Sequence, residues 1–427
     1  MIKLSTDITI KKFEYFYIWV MVIYMARISP ETSRMIGGFG FDIPFLFPII
    51  LTLVLLHRNK ISFQNNNLKK LLGLFMLWTM VIILKFSDSF ISNPSQVSYS
   101  FFLFYSILIA YIHIKVFGKK LFVVYEDIIV KLAIISLPLW ALGQLIPVIP
   151  NTIYSLFPDN GFGYNILYLF NWIHNEEHTY RNSGCSWEPG MFASLILFAI
   201  AVNILRNKSF RLKHNNNIFI LFLALLSTFS TTGYVTFLLL VLYVNFKNKL
   251  SNVILIISLI PIVIFIFQLD FMSQKIMDQL NLDEANENFM ISADYAFKTM
   301  EKGEYTSSLG RFQTIYFEFE NFKEDFLIGY GLSSENSYFY NNISTNYSLP
   351  GGIMTLLSRF GLFFGLYIYY LFYRSSNKLS KDFSFKKNNL FFITYLLSSV
   401  SYNLFISPII MSYFLYDAFS DKKQLTN

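Results

Sequence analysis

The stretch RNSGCSWEPGMFASLILFAI, residues 181–200, sets an arginine, a glutamate and a proline directly against an apolar run. Arg181 carries a rigid, permanently charged fork of donors that suits phosphate oxygens. Glu188 carries a carboxylate that can take the proton from an attacking hydroxyl. Pro189 suits the first turn of a helix, which leaves Glu188 at the helix mouth, where the dipole favours negative charge. Arg311, in LGRFQTIYFEFENFKEDFLIGYGL, is a second candidate anion contact, and Arg359 is a third. Arginine is costly inside a bilayer, so one held at a membrane edge has a partner or a task.

Plainer readings of these residues stand beside the chemical one. Arg181 can pair with Glu188 or with lipid phosphates. Arg311 can be a solvated charge on a loop helix, and Glu188 a simple helix N-terminal charge. Arg359, just inside a membrane helix, is a third anion contact or, more simply, a side chain reaching out to the headgroups. Trp187 and the tyrosines of 337–347 suit stacking on sugar rings, and an interfacial aromatic belt accounts for them equally well.

Other chemistries lack their signatures. The sequence contains no P-loop, no H-E-x-x-H and no Cys/His cluster at metal spacing. HNEEH, His174 to His178, would place two histidines on one helical face, but its loop-like setting favours solvated polar residues. No metal and no cofactor is expected. The single cysteine, Cys185, excludes an intrachain disulfide.

The elements that must position these residues are membrane helices. The chain of 427 residues is 54% apolar, 19% aromatic and only 14% charged; soluble domains carry roughly 25% charged residues. Part of its solvent must therefore be lipid. A formal charge of +7 would suggest nucleic acid on a soluble protein. Here the basic residues gather in short loops, as expected of cytoplasmic segments, and no nucleic-acid partner is inferred. The N-terminus has no A-x-A cleavage site, so the first apolar run is expected to remain as a helix.

Twelve apolar runs are candidate spans: 12–28, 42–57, 70–87, 98–116, 128–148, 189–206, 216–230, 232–246, 251–270, 351–373, 389–404 and 405–419. The pairs meeting at STFSTTGYVT and SYNLFISP touch closely enough that the count is open. With both termini in the cytoplasm, most of the 34 Lys and Arg fall in short inside segments. Two large segments, 149–188 and 271–350, then lie outside. Loops of that length are usually functional or disordered, and their aromatic richness favours order. Within the second, DEANENFMISADYAFKTMEK and RFQTIYFEFENFKED have helical spacing. In the latter, Phe312, Ile315, Tyr316, Phe319 and Phe322 can share one apolar face. Gly329 and Gly331 mark a turn after it. The expected fold is a single all-α polytopic membrane domain over 1–427, with about twelve transmembrane helices and short helices in the large extracytoplasmic loop.

Four ordered motifs over residues 181–365 resemble the bacterial O-antigen and capsule polymerases (Wzy-type) of the O-antigen ligase/polymerase superfamily. The first is Arg181, Gly184, Glu188 and Pro189 at the head of a helix. The second is the polar turn STTGY, Ser230 to Gly233. The third is Arg311, an amphipathic helix and a G-x-G at Gly329 and Gly331. The fourth is Gly361 in SRFGLFFG. The first outside loop, RISPETSRMIGGFGF, lacks the acidic pairs of many metal-dependent membrane glycosyltransferases. Ligases of the superfamily carry a histidine about a dozen residues before the fourth glycine. This chain has Pro350 and Gly351 there, and its five histidines all precede the large loop.

The resemblance implies a metal-independent glycosyltransferase of the bacterial inner membrane, acting on the extracytoplasmic face. Its substrate would be an oligosaccharide linked to undecaprenyl diphosphate, and its partners the bilayer and, left open, a chain-length regulator. Arg181 and Arg311 would hold the diphosphate and stabilise the leaving charge, with Glu188 as base. Gly184, Trp187, Ser230, Gly329, Gly331 and Arg359 would line the substrate. The alternatives are an O-antigen ligase, or a flippase for lipid-linked oligosaccharide.

Overall fold

The structure, a computed structural model, describes residues 2–5, 8–27, 43–87, 95–156, 164–166, 169–172, 180–210, 215–245, 311–342, 352–400 and 402–420 save 403 and 406. The first outside loop, HNEEH, the expected span at 251–270 and the DEANENF helix lie outside these residues.

The described chain is almost wholly helical. In chain order the helices are α1 (Lys12–Arg27), α2 (Ile43–Asn59), α3 (Asn66–Lys85), α4 (Ser95–Phe117), α5 (Lys120–Leu145), α6 (Val148–Leu156), α7 (Pro189–Asn207), α8 (Asn216–Ser227), α9 (Thr231–Asn245), α10 (Arg311–Glu324), α11 (Tyr338–Asn342), α12 (Thr355–Asp382), α13 (Leu390–Ser398), α14 (Pro408–Phe414) and α15 (Tyr416–Phe419). Two small antiparallel hairpins accompany them, β1 (Ile2–Ser5) with β2 (Ile8–Ile10) and β3 (Tyr164–Ile166) with β4 (Phe170–Trp172).

The helix boundaries have local causes. Asn65 caps α3 by accepting from the amides of Asn67 at 2.9 Å and Leu68 at 3.1 Å. Asn215 caps α8 through the Ile218 amide. Pro189 opens α7 in its first turn, directly after Glu188.

Among the described residues, α3, α4, α5, α7 and α12 are long and apolar enough to cross a membrane. Two of the expected spans do not form helices of membrane-crossing length among the described residues. The runs 389–404 and 405–419 resolve into α13 of 9 residues, α14 of 7 and α15 of 4. At 1.5 Å per residue, nine residues cover only about 14 Å of a roughly 30 Å core. Hydropathy alone does not register that the last run, opened by Pro408, holds two short helices rather than one.

The chain forms two compact units. The first comprises Met1–Phe237, Leu366–Ser398 and Leu404–Asn427. The second comprises Leu238–Gly365 and Ser399–Asn403. In the first unit α7 is the central element, packed against α5, α8 and α13. Its apolar window is 94% buried, whereas that of α3 is only 33% buried. A helix apolar on all sides belongs inside a bundle; α3 instead turns Leu77, Met80 and Leu84 outward. Beside α7, Phe122 and Phe391 each stack on Tyr413, with ring centroids 4.3 and 4.5 Å from it.

The 19 residues of α7 separate its two ends by about 28 Å. At its C-terminal end Arg206 pairs with the buried Glu126 at 2.8 Å, and Asn203 donates to the same carboxylate. At its N-terminal end stands the loop 180–188.

Candidate functional site

Residues 180–188 form a loop held by main-chain and amide contacts within the first unit. The Asn182 amide donates to the Ser227 carbonyl at 2.9 Å. Its side chain donates to Ser136 Oγ at 3.1 Å and Ser227 Oγ at 2.8 Å, and accepts from the Gly184 amide at 2.9 Å. Strand β4 fastens the other side. The Asn171 amide donates to the Gly184 carbonyl, Asn171 Nδ2 to the Ser186 carbonyl, and Ser183 Oγ to the Asn171 carbonyl. Trp140 Nε1 donates to the Tyr180 carbonyl. A loop with this many partners has its geometry imposed by the bundle rather than by its own propensity.

Arg181 is 9% exposed. Its Nε donates to the Thr228 carbonyl at 3.0 Å. Thr228 is the C-cap of α8, and a cation is favoured at that negative helix end. The next residue, Phe229, takes a left-handed φ of 47°, a conformation that costs a bulky residue about 1 kcal/mol or more. That turn leads into α9, where Ser230 Oγ accepts from the Gly233 amide at 3.2 Å. The structure thus brings Arg181 beside the STTGY turn, although the two lie some fifty residues apart in sequence. Glu188 sits at the N-cap of α7 with extended backbone, and its carboxylate makes no capping hydrogen bond. Trp187 is half-buried beside it. Cys185 is buried, with no exposed surface, so it is a poor reporter for an impermeant maleimide.

The glycine motifs form a second constellation, inside the second unit. α12 is broken at Gly361, whose backbone angles are φ 70° and ψ 179°. The broken ladder is filled from the segment after α10. The Tyr330 amide donates to the Ser358 carbonyl at 3.0 Å, the Gly331 amide to the Arg359 carbonyl at 3.0 Å, and the Leu362 amide to the Phe326 carbonyl at 2.8 Å. Gly329 and Gly361 are glycines because the two backbones touch. A Cβ on Gly329 would stand 2.2 Å from the Arg359 oxygen, and one on Gly361 would stand 2.3 Å from the Leu327 oxygen. Both also have positive φ. Irregular backbone in a membrane helix is tolerated where it is buried in protein or lines a cavity. The break in α12 meets that condition through its bonded partner.

Packed at this break is a buried acid. Glu318 of α10 has no exposed surface. Its carboxylate accepts from Ser358 Oγ, from Thr355 Oγ1 at 3.2 Å and from Asn321 Nδ2 at 3.4 Å, with a longer 3.5 Å contact to the Tyr330 hydroxyl. Arg359 Nε donates to the same Tyr330 hydroxyl at 3.2 Å. Burial drives the Tyr330 phenol well above its usual range, the Glu318 charge adds to this, and Arg359 opposes it. Tyr330 therefore keeps its proton, accepts from Arg359 and presents that proton to Glu318.

Arg311 is the first residue of α10, and its side chain lies outside the described residues. The expected apolar face of this helix is corrected in part. Thr314, Phe317, Glu318, Asn321 and Phe322 are buried, while Tyr316 is 54% and Phe319 45% exposed. The helix buries its acid because hydroxyls on α12 meet it, and it turns aromatic rings outward. Glu318 and Tyr330 escaped the sequence reading. Glu318 is one of four acids in RFQTIYFEFENFKED, and no local pattern marks it as different. No group of three His, Cys, Asp or Glu residues capable of holding a metal is found among the described residues.

Residues 216–363 match the family model described as O-antigen ligase (Wzy_C), so this stretch of the chain is similar to the O-antigen ligase/polymerase superfamily. The matched stretch contains Ser230, Arg311, Glu318, Gly329, Tyr330, Gly331, Arg359 and Gly361, and it begins after the Arg181 loop. No curated protein and no solved structure matches the chain.

Proposed function

We propose that this chain belongs to the O-antigen ligase/polymerase superfamily and polymerises lipid-linked repeat units at the outer face of a bacterial inner membrane. A sugar hydroxyl of one repeat unit attacks the anomeric carbon of the glycan carried by another. The new glycosidic bond forms as the bond to the carrier diphosphate breaks, and the undecaprenyl diphosphate leaves. The hydroxyl proton passes to a base, and Glu188 is assigned that role because it stands at the mouth of α7, beside the Arg181 loop. Arg181 is assigned to the diphosphate, with Arg311 and Arg359 as further anion contacts. Preorganised donors at the developing charge are the usual large contribution in such sites.

The observation that carries this reading is the fixing of Arg181. A buried arginine anchored through Nε keeps the outer edge of its guanidinium, the edge that grips two phosphate oxygens, in a set direction. The ligase reading is the second one, favoured by the description of the matched family. Against it stand Pro350 and Gly351, where ligases carry a histidine. The flippase reading has no support from the match.

Deletion and complementation in cells test the proposal. Loss of the protein is expected to leave carrier-linked glycans of one repeat unit. Arg181→Ala and Arg311→Ala should fail to restore polymer while still inserting in the membrane. Each loss corresponds to about 2–4 kcal/mol of transition-state stabilisation, or roughly 30–1,000-fold in rate. Glu188→Gln should abolish turnover while lipid-linked substrate still binds. Full-length polymer in cells lacking the protein would refute the proposal; full-length polymer attached to the carrier but absent from a final acceptor would favour the ligase.

A further inference from the structure

A carboxylate with no exposed surface is expensive unless it is satisfied, and side chains of this kind near a membrane are functional candidates by default. Glu318 is satisfied by Ser358, Thr355 and Asn321, and it faces the Tyr330 hydroxyl. Tyr330 is pinned on its other side as well. Its amide is bonded to Ser358 and the next amide to Arg359, so its backbone is fixed to the very turn of α12 that carries the arginine. Its hydroxyl then receives Arg359 Nε at 3.2 Å.

This bond uses the inner nitrogen of the guanidinium. The two terminal nitrogens form the edge that grips phosphate oxygens in parallel pairs. A phenol inserted between the acid and the arginine therefore orients the cation without setting the carboxylate directly on that edge.

We propose that Glu318 and Tyr330 are positioning residues that aim the Arg359 guanidinium at a diphosphate-class anion. The inference rests on the transferase reading for the identity of that anion, the carrier diphosphate. Tyr330 acts on Arg359 directly, and Glu318 acts by fixing the direction of the Tyr330 proton. Because the diphosphate carries its charge already in the ground state, misaiming Arg359 weakens substrate binding more than the chemical step.

The test uses the full chain in liposomes with a lipid-linked repeat unit. Tyr330→Phe, Arg359→Ala and the double variant are compared by KM, kcat and thermal unfolding, and Arg359→Lys gauges how much a point charge retains. Tyr330→Phe is expected to raise KM roughly tenfold with kcat within about threefold, the scale of one charge-assisted hydrogen bond. In the Arg359→Ala background it should add nothing, since it acts through that arginine. Glu318→Gln should shift KM in the same direction and by less.

A merely structural Tyr330 predicts a lowered unfolding temperature with KM unchanged, or effects that add in the double variant; either result overturns the inference. If the wild-type protein consumes no lipid-linked repeat unit, the transferase reading falls on its own. Thermal stabilisation by undecaprenyl diphosphate then reads the same site. Stabilisation that Arg359→Ala and Tyr330→Phe each reduce would support the positioning role, and stabilisation unchanged in both would sink it.

Discussion

Arg181 and Arg359 are anchored alike and held differently. Each donates from Nε to a protein oxygen, at 3.0 Å for Arg181 and 3.2 Å for Arg359. For Arg181 that oxygen is a main-chain carbonyl at the end of α8. For Arg359 it is the hydroxyl of Tyr330, which faces a buried glutamate. Main chain cannot be removed by substitution, so the first anchor is robust and only its surroundings can be loosened. The second can be cut by deleting one oxygen atom. The same guanidinium orientation problem is solved once by a helix terminus and once by a side-chain relay.

The sharpest way to break the second anchor is to remove its frame. Gly361→Ala would place a methyl 2.3 Å from the Leu327 oxygen at a φ of 70°. Strain of this kind costs of order 1–3 kcal/mol in backbone alone, and the overlap adds to it. The variant should lose the fold of the second unit, seen as protease sensitivity in that region and loss of its cooperative melting, while α7 and its neighbours in the first unit stay protected. Gly329→Ala should behave alike, since its Cβ would stand 2.2 Å from the Arg359 oxygen. Normal melting of both variants would mean that the α12 break is not fixed by this contact.

A smaller effect separates the two anchors. Asn182→Ala removes three side-chain hydrogen bonds from the Arg181 loop but leaves the Thr228 carbonyl in place. It should destabilise the protein by about 1–3 kcal/mol, the scale of buried groups left unsatisfied. Because Arg181 keeps its own anchor, KM should move less than in Tyr330→Phe. Melting temperature and KM measured on both variants check this. A larger KM change in Asn182→Ala would show that the loop, rather than the helix end, orients Arg181.

The smallest effect belongs to the outward rings of α10. Tyr316→Ser and Phe319→Ser change residues that are 54% and 45% exposed. In detergent they should alter stability by no more than about 0.5 kcal/mol, as for ordinary surface substitutions. Their effect, if the face meets lipid, should be a loss of membrane retention when a peptide of residues 311–327 is bound to vesicles.

How much of this was legible follows from the range of each contact. The head of α7 was readable because Glu188 and Pro189 are adjacent and act within one turn. The glycines at 329, 331 and 361 were readable as a motif, yet their meeting was not, since it joins backbones 28 to 36 residues apart. Glu318 was illegible for the same reason: its partners Thr355 and Ser358 lie 37 and 40 residues away. The amphipathic period of α10 located a helix but not its buried face, because hydroxyl partners for an acid leave no trace in apolar spacing. The shortness of α13 and the division of the last run into α14 and α15 were hidden for a different reason, since hydropathy registers apolar residues and not where a helix stops.

The most direct measurement follows the products of the purified chain in liposomes containing only lipid-linked repeat unit. The polymerase account predicts a ladder of glycans of increasing length on the carrier, with undecaprenyl diphosphate released in step, no ladder from Arg181→Ala protein of unchanged melting temperature, and from Arg359→Ala protein a ladder that needs a higher concentration of lipid-linked repeat unit. Transfer only when a second, non-identical acceptor is supplied, or a ladder undiminished in both arginine variants, would contradict it.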